Sequence, residues 1–206
     1  MDLHPRAVLT ALLARHSDAF AMVHGCLDLA IQTSCAKWVD TYPDLYQVHG
    51  GVMAATVRQC LIAHLRCKEF QESTLEANGG PNCSVVLSDV LGDKAVVRKH
   101  PRILRTAYLV PVTEIPAHTL FGMDYSLCSW RPYVLWEADL KTQVLRHAWL
   151  AAVANIDEPS LTEIYCELDL PPAIMPAVAT PPSDDEIEDE GWNDEFGEEG
   201  GGADPA

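Results

Sequence analysis

Residues 83–100 read CSVVLSDVLGDKAVVRKH, two valine-rich runs on either side of Gly92-Asp93. A glycine at the first central position of a two-residue connection suits a type II′ β-hairpin, so this stretch predicts two antiparallel strands. It also marks where the chain changes character. Before it, apolar residues recur at helical spacing; after it, short β-branched and aromatic runs are bounded by turn residues.

Working back toward the N-terminus, Pro5 suits the first turn of a helix, and Val8, Leu9, Leu12 and Leu13 follow at helical spacing to about residue 15. Ser17 is placed to cap a second helix whose stripe is Phe20, Val23, Leu27, Ala30 and Ile31, running on to Trp38 and ending before Pro43. Gly25 weakens its middle. A third helix is expected from about 51 to 77, stopped by the turn-forming NGGPN at 78–82.

Working forward, ILRTAYLVPV (103–112) predicts a strand, and Thr113, Pro116 and Gly122 bracket a short helix. RPYVLWEAD (131–139) and VLRHAWLAAV (144–153), joined by LKTQ, read as a second hairpin, with LTEIYCELDL (161–170) as a last strand. Helices followed by mostly antiparallel strands make the expected class α+β, with the N-terminal helices packed on the sheet. The expected organisation is one domain over 1–170, helical over 5–77 and β-rich over 83–170. A proline-rich linker over 171–182 follows, and a disordered acidic tail over 183–206.

The formal charge of −16 is unevenly spread. Residues 183–206 hold eleven Asp and Glu and no Lys or Arg, leaving a net charge of −5 over residues 1–182. Seven scattered cysteines do not form the dense, even-numbered framework of a small secreted scaffold, so a reducing cytoplasm is the expected compartment. Arg15, His16 and Asp18 interrupt the first apolar run, which matches neither a signal peptide nor a membrane span.

Four groups of residues bear chemistry. Cys60, His64 and Cys67 fall within about 60° of one helix face, and their types suit zinc. Met53, Val57, Leu61 and Leu65 share that arc while Arg58, Gln59, Arg66 and Glu69 lie opposite, so the arc reads as a buried apolar face and no metal is assigned. Arg98, Lys99, Arg102 and Arg105, with His100 between them, could contact nucleic acid or another anion, attract the acidic tail, or simply protect a sheet edge. Glu137, Arg146 and His147 meet in the second hairpin, where a carboxylate and an imidazole on one face could perform acid–base work; whether they share a face depends on the register. Ile187, Trp192 and Phe196 stand among the tail carboxylates, the pattern of an acidic segment that keeps apolar anchors exposed for a partner.

No nucleophile elbow, phosphate-cradling glycine loop, HExxH or dinucleotide fingerprint is present, and no cofactor is implied. The leading expectation is a non-enzymatic cytoplasmic regulatory protein whose tail recruits a basic protein partner. The alternatives are a nucleic-acid-binding regulator using 98–105 under tail autoinhibition, and a small acid–base enzyme at the 133–150 hairpin. No membrane partner is expected, and homo-oligomerisation is left open.

Overall fold

Pro5 opens α1 (Pro5–Arg15), where its fixed φ and missing N–H are harmless, and the helix buries Val8, Leu9 and Leu12. α2 (Ser17–Val39) follows after one residue, and its N-cap is His16 rather than Ser17. His16 leaves helical geometry at φ −118° and ψ 29°, so the two helices form one bent rod. In this computed structural model the described residues are 4–80, 84–101, 130–156 and 162–175. The expected strand at 103–112, the helix at 113–122 and the acidic tail lie outside them.

After a 3₁₀ turn over Leu45–Gln47, α3 (Gly50–Leu65) begins with the His49 imidazole accepting from the Gly51 N–H at 3.2 Å. The helix expected to reach residue 77 ends here. Arg66 flattens to ψ 0° and Cys67 extends to ψ 150°, so only a single turn, α4 (Lys68–Gln71), follows. Residues 76–77, expected to end that helix, and 78–80, expected to turn, instead make β1 (Glu76–Gly80), which pairs along its length with β2 (Ser84–Ser88). Two glycines have little strand propensity of their own, and sheet pairing overrides it.

β3 (Lys94–Lys99), β4 (Arg131–Asp139), β5 (Val144–Ala154) and β6 (Glu163–Asp169) complete a sheet whose spatial order is the chain order. Every neighbouring pair is antiparallel except β3–β4, which is parallel. The α+β architecture is therefore a helical layer on a mostly antiparallel sheet. The helices cover one face, burying Val85, Leu87, Val97, Val134, Trp136, Leu150 and Ala152 against Leu9, Phe20, Leu27 and Leu61. Each fully buried Leu or Phe contributes about 1.5–3 kcal/mol. The opposite face carries a smaller cluster of Tyr133, Leu135, Ala151, Val153 and Ile164. No helix among the described residues is long and apolar enough to cross a membrane.

The β2–β3 connection is not the type II′ turn expected at Gly92-Asp93. Gly92 does take a positive φ of 92°, but as the last residue of a three-residue loop, Val90–Leu91–Gly92. The Asp89 N–H donates to the Asp93 carbonyl at 3.1 Å, and the Asp89 carboxylate accepts from the Leu91 and Asp93 N–H groups at 2.9 Å each. Side-chain capture of these amides by Asp89 selects the longer loop.

Two β-bulges determine which side chains meet. In β5, Glu137 pairs with His147 and Ala138 with Leu145, leaving Arg146 as the extra residue. Strict alternation would group Leu145 with His147 and Trp149; the bulge turns Leu145 to the helical side, where it packs on the main core. Its N–H donates to the Asp28 carboxylate of α2 at 3.0 Å. In β6 the extra residue is Tyr165, which lets Ile164 and Glu167 share the face away from the helices.

The proline-rich stretch does not begin as a free spacer. The carbonyl of Pro171 accepts from His24 Nδ1 at 2.7 Å, and the Ile174 N–H donates to the Ala21 carbonyl at 3.0 Å. A Cβ on Gly25 would lie 2.3 Å from the Ile174 carbonyl oxygen. The glycine that weakens α2 is the one that admits this strap.

Candidate functional site

The parallel ladder between β3 and β4 runs one residue past β3, because the His100 N–H donates to the Trp136 carbonyl at 2.8 Å. That places His100 beside Glu137, whose antiparallel partner is His147. The register that decides the acid–base reading therefore puts Glu137 and His147 directly opposite each other, on the face away from the helices. Trp149, two residues on, lies between two imidazoles: His147 stacks on it with centroids 5.1 Å apart and planes 23° apart, and His100 meets it edge-on at 5.1 Å and 60°.

His100 has a second role. Its Nε2 lies 2.9 Å from Glu167 Oε1, tying the end of β3 to β6 across two intervening strands. The Glu167 hydrogen bond is the main reason its pKa rises above 6.5, and it outweighs desolvation; a hydrogen bond to the Pro101 backbone and the charge of Glu137 act in the same direction. Glu167 thus clamps His100 and favours its charged form. His147, by contrast, is exposed, with its ring on Trp149. Arg146 approaches Glu137 only to 3.9 Å, with both side chains about half exposed or more, and such a pair contributes little.

The other expected groups are placed as follows. Alternation along β3 sends Arg98 toward the Leu135 row of the far face and Lys99 to the opposite one, so the basic run is divided. Arg102 and Arg105 lie outside the described residues, as do Ile187, Trp192 and Phe196. Cys60 and His64 remain on α3, but the chain has left the helix at Cys67, so the i, i+4, i+7 face does not extend that far. Cys67 instead sits beside Cys26 of α2, whose thiol is pushed up to about 12, chiefly by burial and then by Cys67. His64 is lowered by burial, with Nε2 3.4 Å from the Thr33 hydroxyl. Among the described residues, no three His, Cys, Asp or Glu side chains are grouped to hold a metal ion. A cavity of about 310 Å3 opens between Val39, Pro43, Leu45, Tyr46 and Leu140, and none of the candidate residues lines it.

Sequence reasoning missed one polar cluster altogether. Arg15 Nη1 lies 2.6 Å from Asp93 and 3.6 Å from Asp89, and His16 Nε2 lies 3.3 Å from Asp89, with His16, Asp89 and Asp93 exposed by only 2–4%. The Thr74 hydroxyl contacts His16 Nδ1 at 2.8 Å. Burial lowers the His16 pKa, and the opposing pull of Asp89 does not overcome it. The ring is therefore neutral at pH 7, with its Nε2–H facing Asp89 once Thr74 donates to Nδ1. Nothing in the local pattern signals this grouping, since its members are about 60 to 80 residues apart. No protein-family model, no curated protein and no solved structure matches this chain, and its chemistry is read from its own side chains.

Proposed function

We propose that this protein is a non-enzymatic interaction protein in which the α+β domain anchors an acidic C-terminal segment that recruits a basic protein partner. Trp192, Phe196 and Ile187 serve as apolar anchors, and the surrounding carboxylates steer association. The observation that carries the reading is where the charge sits relative to the chain's exit. Residues 171–175 are seated on α2, and all eleven tail carboxylates come after them, so the chain that bears them continues from a defined place on α2. The test is affinity capture from a nuclease-treated lysate with the full chain, with Trp192→Ala/Phe196→Ala, and with the chain shortened to 1–182. A basic protein bound by the full chain and weakened roughly 30-fold or more by the double substitution is the expected result. Equal recovery by all three forms removes the tail from the function. Material recovered only without nuclease treatment favours nucleic acid at Arg98, Lys99, Arg102 and Arg105 instead.

The register supports a second reading, in which the Glu137–His147 pair takes a proton from a small substrate beside Trp149. Ring opening of 5-nitrobenzisoxazole, which needs only a base, is the probe. Turnover above buffer that falls at least tenfold in both Glu137→Gln and His147→Gln supports this reading. Turnover indifferent to both substitutions ends it.

A further inference from the structure

The strap that leads out of the domain is held in an unusual way. Leu170 is buried and its N–H donates to the Ala148 carbonyl at 3.0 Å, so the sheet ends firmly there. Beyond it two hydrogen bonds hold the strap, from His24 Nδ1 to the Pro171 carbonyl and from the Ile174 N–H to the Ala21 carbonyl. Ala21 lies within α2, so its carbonyl is also the acceptor due to Gly25 one turn on, and the strap bond is a shared one. The apolar side chains of the strap are only about half covered, with Ile174 47% and Met175 52% exposed. Its close fit over Gly25 is made by the Ile174 backbone carbonyl together with the Met175 sulfur.

The geometry points to a latch: Pro171–Met175 closes weakly on α2, and it opens without disturbing β6. Its consequence for partner capture rests on the recruitment reading, while the latch itself stands on its own contacts. Two net hydrogen bonds, each worth a factor of about two to ten, favour the closed state by about four- to a hundredfold. A ligand with a comparable preference for one state is enough to move such an equilibrium. Opening exposes the α2 surface at Ala21, His24 and Gly25.

Amide hydrogen exchange on the full chain tests the latch. The Ile174 amide should exchange about four to a hundred times more slowly than in an unfolded chain, and far faster than Leu150 in β5. In Gly25→Ala the Ile174 protection should vanish while Leu150 is unchanged. In His24→Ala it should fall two- to tenfold, and this variant decides the matter if the Gly25 substitution disturbs Leu150 as well. An Ile174 amide that exchanges freely in the wild type, or as slowly as Leu150, overturns the latch. Titrating the same samples with poly-L-lysine separates the two proposals, because failure of the polymer to bind while Ile174 stays protected sinks recruitment and leaves the latch standing.

Discussion

His16 and His100 show how one residue type acquires opposite properties from its surroundings. His16 is buried between helices and loop, and its pKa is depressed below 6.5. In the unfolded chain it takes a proton as the pH falls through 6.5, while in the fold it resists, so its contribution to stability declines on acidification from that point down. His100 is half-buried against Glu167 and its pKa is raised. Its contribution is fully present below pH 6.5 and is lost as pH rises through the elevated folded value. His100→Gln should therefore cost about 1–2 kcal/mol at pH 5.5 and much less at pH 8.5, read from urea unfolding at the two pH values. An equal loss at both would mean that the ring acts by packing on Trp149 and not by its charge. The sequence displayed His100 as a member of a basic run; its carboxylate partner, 67 residues away, was invisible there.

At the scale of the element, the two bulges decide the chemistry of the far face. A strand of strict period two cannot present Leu145 to the helices and His147 to the opposite side, nor Ile164 and Glu167 to one face. One extra residue in each strand resolves both conflicts. Arg146, the extra residue of β5, is itself well exposed and weakly paired, so Arg146→Ala should change stability by less than about 1 kcal/mol. Deleting Arg146 would make Leu145 and His147 neighbours, which strict alternation already sets on opposite faces, so Leu145 should keep its place on the core and its N–H its bond to Asp28. Thermal unfolding of both variants checks this: a small change in each is expected, and a large loss on deletion alone would mean that the local twist of the bulge holds the sheet. Element ends were less legible than elements themselves. α3 stops at Leu65 because Arg66 and Cys67 leave helical geometry, a break that neither residue type announces.

At the scale of the whole molecule, the buried cluster of Arg15, His16, Asp89 and Asp93 joins the bend between α1 and α2 to the loop between β2 and β3. Buried ion pairs add little net stability once desolvation is counted. The sequence by itself determined the α+β class, the existence of both hairpins, the span of α1 and α2 and the concentration of charge at the C-terminal end. These depend on periodicity, turn residues and composition, which act over a few neighbouring residues. The tertiary structure alone decided that NGG is an edge strand, that β3 and β4 run parallel, that Gly25 admits a strap, and that Glu137 faces His147 while Glu167 holds His100. Each of those depends on which distant segment lies alongside, and on a register set by pairing across the sheet, for which a local pattern holds no signal.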